Sequence, residues 1–146
     1  MRIDIWSDIV CPFCYVGKRN LEQALAEFEH RDEVEVVWHS FELDPSATEH
    51  PAGSLPELIA GKYQMSLEQA IASQESLAER AREVGLDFNW RQARYGNTFD
   101  AHRVIHYAAE QGLASAAQEA FKLAYFTQGR SVQDHESILD LSFIHI

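Results

Sequence analysis

Two segments of alternating apolar residues flank a helical stretch at the start of the chain, and this order limits the fold more than any other feature. Ile3 and Ile5 alternate with Arg2 and Asp4, and Val34, Val36 and Trp38 share one face of a segment from Glu33 to Ser40. The residues between, roughly 11–29, have helical spacing. Strand, helix and strand over about forty residues make a βαβ unit, which predicts two parallel strands joined by a right-handed crossover. After a loop holding Pro45, Pro51, Gly53 and Pro56, the pattern turns helical. Ser54 with Glu57, and Ser66 with Gln69, have the spacing of capping boxes. Leu67, Ala70, Ile71, Leu77, Ala78, Ala81 and Val84 form an amphipathic stripe that Gly85 ends. Asn97 or Thr98 suits the cap of a helix running to Gly112. Another helix runs from about Leu113 to Gln128, with Ala117, Ala120, Phe121, Ala124 and Tyr125 inward, and Asp134 caps a last one through Leu141. Ser142 to Ile146 alternate like a strand. Two parallel strands make a marginal sheet, so the pattern predicts a sheet left incomplete.

The chain has 146 residues, enough for one sizeable core, and a net charge of −11. That charge argues against nucleic acid or anionic lipid as a partner, since both need clustered Lys and Arg. The longest apolar run is too short to span a membrane. An aspartate at position 4 leaves no room for a signal-peptide core, so a cytoplasmic location is expected. Cys11 and Cys14 are the only cysteines, too few for a disulfide-stapled scaffold.

Those cysteines lie in Cys11-Pro12-Phe13-Cys14, at the junction of the first strand and the first helix. A cysteine at a helix start meets free backbone N–H groups and the positive end of the dipole, which stabilise a thiolate. Pro12 suits the first turn, where its missing N–H has no helical partner. At about 100° per residue, Cys14 lies close to Leu21, Leu25 and Phe28 on the helix wheel. The expectation is therefore a buried Cys14 and an exposed Cys11, an asymmetry suited to thiol–disulfide exchange. A structural zinc site would need four ligands, and His39 or His102 would have to complete it without H-x₃₋₅-H spacing; no metal is expected. Asp8 stands just before the motif, where it is either a loop residue or an aid to proton movement from the buried thiol.

Ile5-Trp6-Ser7-Asp8-Ile9-Val10-Cys11-Pro12-Phe13-Cys14-Tyr15-Val16-Gly17-Lys18 resembles the opening of the DsbA-like FrnE family of thioredoxin-fold oxidoreductases. Residues Val36 to Pro45 look like that family's second strand and following loop, and Asn97 to Arg103 like the start of a helix in its inserted helical domain. The resemblance implies an α/β thioredoxin-like βαβ unit interrupted by an all-helical insertion. Residues 1–53 would be the N-terminal part of the thioredoxin-like domain, 54–141 the insertion and 142–146 a short tail. It also implies exchange between dithiols and disulfides, with Cys11 as nucleophile and Cys14 as resolving cysteine. Family members continue into a cis-proline loop, a β-hairpin and a final helix, and no proline follows Pro56 here. The chain thus resembles a C-terminally truncated member, whose open sheet edge invites either completion by a second copy, as a homodimer, or aggregation; disulfide or dithiol substrates are the other partners implied.

If the insertion covers the helix end that bears Cys11, then Pro12, Phe13, Asn97, Thr98 and His102 are candidates to contact substrate. His39, at the carboxyl end of the second strand, is another. No tightly bound cofactor is expected. Two other functions compete with disulfide exchange. A glutathione-dependent transferase or isomerase, of the kappa or 2-hydroxychromene-2-carboxylate isomerase type, would use glutathione as co-substrate, but such enzymes usually lack the second cysteine. A redox-switched chaperone or binding module would use the thiols only as a switch.

Overall fold

The computed structural model describes residues 1–48 and 51–145, with side chains through residue 142. Strands β1 (Arg2–Ser7) and β2 (Glu35–Ser40) pair in parallel, with Arg2 opposite Glu35 and Ser7 opposite Ser40. Helix α1 (Pro12–Glu27) connects them through a 3₁₀ turn at Arg31–Glu33. Five helices follow: α2 (Leu55–Tyr63), α3 (Leu67–Glu83), α4 (Phe99–Glu110), α5 (Ala114–Phe126) and α6 (His135–His145). The helix starts obey the capping rules read from the sequence. The Ser54 N–H donates to Glu57 Oε2 at 2.6 Å, the Gln69 N–H to Ser66 Oγ at 3.1 Å, and the Ser137 N–H to Asp134 Oδ1 at 2.8 Å. The segment read as a short tail alternating like a strand is helical instead. Residues 142–145 continue α6, whose buried Ile138 and Leu141 lie three apart on one face; Ile146 lies outside the described residues.

The core belongs mainly to the helices. Ala78 and Ala81 of α3, Ala101 and Ile105 of α4, and Phe121 and Ala124 of α5 are buried together with Phe88 and Trp90 from the loop after α3. Ile9, Val10 and Tyr15 reach into this core from the β1–α1 connection. Tyr15, Phe88 and Phe126 form an aromatic cluster with centroids 4.5–5.9 Å apart. The strands themselves are only half-buried, and Trp6 is 61% exposed.

This changes the orientation expected for α1. Its fully buried residues are Tyr15 and Lys18, not the Cys14–Leu21–Leu25–Phe28 stripe, and Phe28 is 42% exposed. Two strands offer a helix little surface, so α1 anchors instead on α5. The Tyr15 hydroxyl donates to Glu119 Oε1 at 2.7 Å, Lys18 Nζ to Glu119 Oε2 at 2.6 Å, and Arg19 to Glu119 Oε1 at 2.7 Å.

Gly129 follows α5 at φ 62°, and a Cβ there would lie 2.8 Å from Gln92 Cβ and 3.2 Å from the Gln92 carbonyl oxygen. Gly129→Ala should therefore cost about 1–3 kcal/mol in a denaturant titration, from left-handed strain plus overlap. Gly112, at φ 75° with open space around it, supplies the control, since Gly112→Ala adds the strain without the overlap. Equal losses at both sites would show that the Gln92 contact relaxes freely.

Candidate active site

The connection Ser7-Asp8-Ile9-Val10 leaves β1 and turns directly into α1. Cys11 is the N-cap of that helix, with φ −88° and ψ 112°, and Pro12 opens its first turn. Cys11 Sγ accepts the backbone N–H of Cys14 at 3.4 Å, so one of the free amides of the helix start points at a sulfur. Both cysteines are free thiols. The expected difference in exposure is reversed: Cys11 is only 9% exposed, and Cys14 is partly exposed. The cause is the packing of α2, α3 and the loop after β2 over the start of α1, which leaves a cavity of about 760 Å³. Cys11, Pro12 and Phe13 line that cavity and Cys14 does not. Leu43, Leu58 and Tyr95 contribute apolar wall, and Lys62 and Arg80 contribute positive charge.

The two sulfurs ionise as a pair. Cys14 is drawn down to about 5, chiefly by the hydrogen bond from the Cys11 thiol, which outweighs its burial; the Asp8 backbone, Lys122 and Ser7 add to this. The same bond to Cys14, together with burial, pushes Cys11 up. One proton is thus lost easily and the second is held strongly.

Beneath the motif lies a buried polar cluster. Asp8 is 2% exposed and accepts four donors: Ile9 N–H at 2.7 Å, Leu43 N–H at 2.8 Å, Thr98 Oγ at 2.9 Å and His102 Nε2 at 3.2 Å. Burial works to raise this carboxyl, but the bonds from His102, Leu43 and Thr98 prevail and hold it below its usual range. Lys122 of α5 is wholly buried and donates to the Asp8 carbonyl oxygen at 2.6 Å and to Ser7 Oγ at 3.1 Å. His102 Nδ1 and the Gln118 amide have no protein partner in this interior.

The candidates named from the sequence fall into three places. Pro12 and Phe13 border the cavity beside Cys11. Thr98 and His102 meet at Asp8, behind the motif, while Asn97 accepts the Phe99 N–H at 2.9 Å and ties its own N–H to the Thr48 carbonyl at 3.2 Å. His39 lies on the sheet, bonded to Asp4 at 2.7 Å and stacked on Trp6 at 4.5 Å. The residue that sequence reasoning missed is Lys122. The signal for it was present: α5 carries only two charged residues, Glu119 and Lys122, in a helix that apart from Gln118 is apolar or small, and such a helix has little solvent face for a lysine. Among the described residues, no group of three or more His, Cys, Asp or Glu side chains is placed to hold a metal.

The sequence profile of the DSBA-like thioredoxin domain matches residues 2–142. The chain belongs to this family. Its fold is accordingly the DsbA-like thioredoxin fold, α/β with six helices and a small sheet. A probable DsbA oxidoreductase from Streptomyces coelicolor is 46% identical and superposes with a TM-score of 0.90, over 97% of this chain and 61% of that one. An uncharacterized Bacillus subtilis (strain 168) protein, YwbO, is 27% identical over 143 residues, which is 97% of this chain and 64% of its own. The cytosolic disulfide reductase DsbM from Pseudomonas aeruginosa, determined with GSH, shares the fold at 18% identity with a TM-score of 0.65, over 99% of this chain and 64% of its own. This DsbA-like chain thus spans less than two thirds of the length of these relatives.

Proposed function

We propose that this chain performs dithiol–disulfide exchange as a FrnE-type member of the family, with Cys11 as nucleophile and Cys14 as resolving cysteine. The proton that the pair retains on Cys11 passes to the Cys14 thiolate as Cys11 Sγ attacks a substrate disulfide, forming a mixed disulfide and releasing the other substrate sulfur, which takes that proton in turn. Cys14 then attacks Cys11 Sγ, forming the Cys11–Cys14 disulfide and releasing the second substrate sulfur, so two electrons pass to the substrate. The reverse sequence oxidises a dithiol. The observation that carries this reading is that Cys11 alone of the pair opens into the cavity, while the Cys14 N–H is bonded to its sulfur.

The size of the cavity and its excess of positive charge, Arg80 and Lys62 against the one Asp44 that pairs with Lys62 at 3.8 Å, also suit an anionic small thiol, which supports glutathione as co-substrate. A mixed-disulfide trap tests the assignment. Cys14→Ser incubated with oxidised glutathione should accumulate a glutathione adduct on Cys11, read by intact mass, and Cys11→Ser should not. An adduct forming equally on Cys14 in the Cys11→Ser protein would reverse the roles. If neither variant formed an adduct faster than a free thiol, exchange itself would be disproved. Isothermal titration of the protein carrying both Cys11→Ser and Cys14→Ser with reduced glutathione separates binding in the cavity from covalent capture.

A further inference from the structure

A lysine ammonium with no solvent contact is costly to bury unless an anion faces it. Lys122 has no solvent contact, and among the described residues no carboxylate lies within ion-pair distance of it. Its two acceptors are neutral: the Asp8 carbonyl oxygen and Ser7 Oγ. The nearby Asp8 carboxylate is committed elsewhere, to Ile9, Leu43, Thr98 and His102. Lys122 Nζ is bonded to Ser7 and Asp8, in the turn that runs directly into Cys11 at the start of α1, so the other anion beside it is a thiolate of the pair; Cys14 and Cys11 act on it more strongly than Asp8 does. Ser7 stands between the two: its oxygen accepts a hydrogen bond from Lys122 at 3.1 Å, and its side chain favours ionised Cys14. We propose that Lys122, anchored by Ser7 and the Asp8 carbonyl, is the buried counter-ion of the reduced centre's thiolate. It is a positioning residue, supplied by the insertion to a motif in the thioredoxin-like part.

The pairing makes a statement about redox balance. Reducing the Cys11–Cys14 disulfide and losing one proton to solvent creates the anion that Lys122 faces. Reoxidation removes that anion and leaves the ammonium with neutral partners. Lys122 therefore favours the reduced form and makes the centre more oxidising. The charged and titratable groups acting on Lys122 are Cys14 and Cys11, which favour its proton, Asp8, which does the same, and Lys18 of α1, which opposes it. Burial is the largest influence and draws Lys122 down to about 8.

The inference rests on the thiol–disulfide reading, but its test needs no turnover. In protein carrying ¹³C-labelled lysine, the Lys122 signal, assigned by its contact with Ser7, is titrated in the reduced and the oxidised states. Its midpoint should lie lower in the oxidised protein, because coupling between two sites is reciprocal. Identical titrations in the two states would overturn the proposal. Lys122→Met gives the other side of the same coupling. Its thiolate absorbance near 240 nm should titrate at higher pH than in the parent. Its equilibrium with glutathione should shift towards the disulfide, by roughly tenfold for each pH unit that the midpoint moves. A folded Lys122→Met protein with an unchanged thiolate midpoint would also overturn it, and if that variant fails to fold, the lysine titration of the unmodified protein decides. Trapping of glutathione on Cys11 with no coupling to Lys122 would leave exchange standing and this inference refuted.

Discussion

Asp8→Ala should lower the unfolding free energy by about 3–5 kcal/mol, the range for removing one member of a buried charged network. The carboxylate is only 2% exposed and organises three parts of the molecule: its own turn through Ile9, the loop after β2 through Leu43, and the start of α4 through Thr98 and His102. Alanine leaves those donors buried without an acceptor, and His102 then lacks a protein partner at both ring nitrogens, since Nδ1 has none already. Asp8→Asn should fall between, because an amide keeps one accepting oxygen but presents two N–H donors where Leu43 needs an acceptor. Urea unfolding followed by far-ultraviolet circular dichroism measures both. A loss below about 1 kcal/mol for Asp8→Ala would mean that water replaces the carboxylate and that the loop contacts carry little. The sign with pH follows from the direction of the Asp8 shift. A carboxyl held low in the folded protein adds stability above its unfolded value, and that stability is lost as pH falls through the lower folded value.

The reduced centre should remain ionised far below the range of an ordinary thiol. With Cys14 drawn down to about 5 from 9.0, thiolate absorbance should be nearly complete at neutral pH and should fall away around pH 5. The midpoint belongs to the pair. The consequence for stability has two arms. The depressed thiol stabilises the reduced protein fully above the unfolded value of 9.0, and this is lost as pH falls through about 5. The raised thiol acts oppositely, because above 9.0 the unfolded chain ionises it while the folded chain resists. The melting-temperature advantage of the reduced over the disulfide form should therefore grow from pH 5 towards pH 9 and shrink beyond. An advantage that stays flat across this window, or a thiolate midpoint near 9, would show that the Cys11 thiol, the Asp8 backbone and Lys122 do not stabilise the anion.

Local chemistry made much of this protein readable from the chain. The alternation of Ile3 and Ile5, and of Val34, Val36 and Trp38, set the strands. The pairs Ser54/Glu57 and Ser66/Gln69 set helix starts, because a cap depends on residues three apart. Cys11 at the N-cap and Pro12 behind it followed from the same reasoning. Periodicity failed at the end of the chain. Residues 142–145 alternate like a strand yet extend a helix, since a short apolar run fits either period and packing by Ile138 and Leu141 decides.

What the sequence determined by itself was the motif, its place at a strand–helix junction and the succession of helices, all set by neighbours within a turn or two. Tertiary structure decided which cysteine is covered, which face of α1 is buried and which cation stands under the sulfurs. The physical reason is separation along the chain: Lys122 meets the Asp8 carbonyl across 114 positions and Thr98 meets the Asp8 carboxylate across 90. No local period encodes such contacts: the apolar character of α5 hints that Lys122 lacks water, but only the fold shows what it faces.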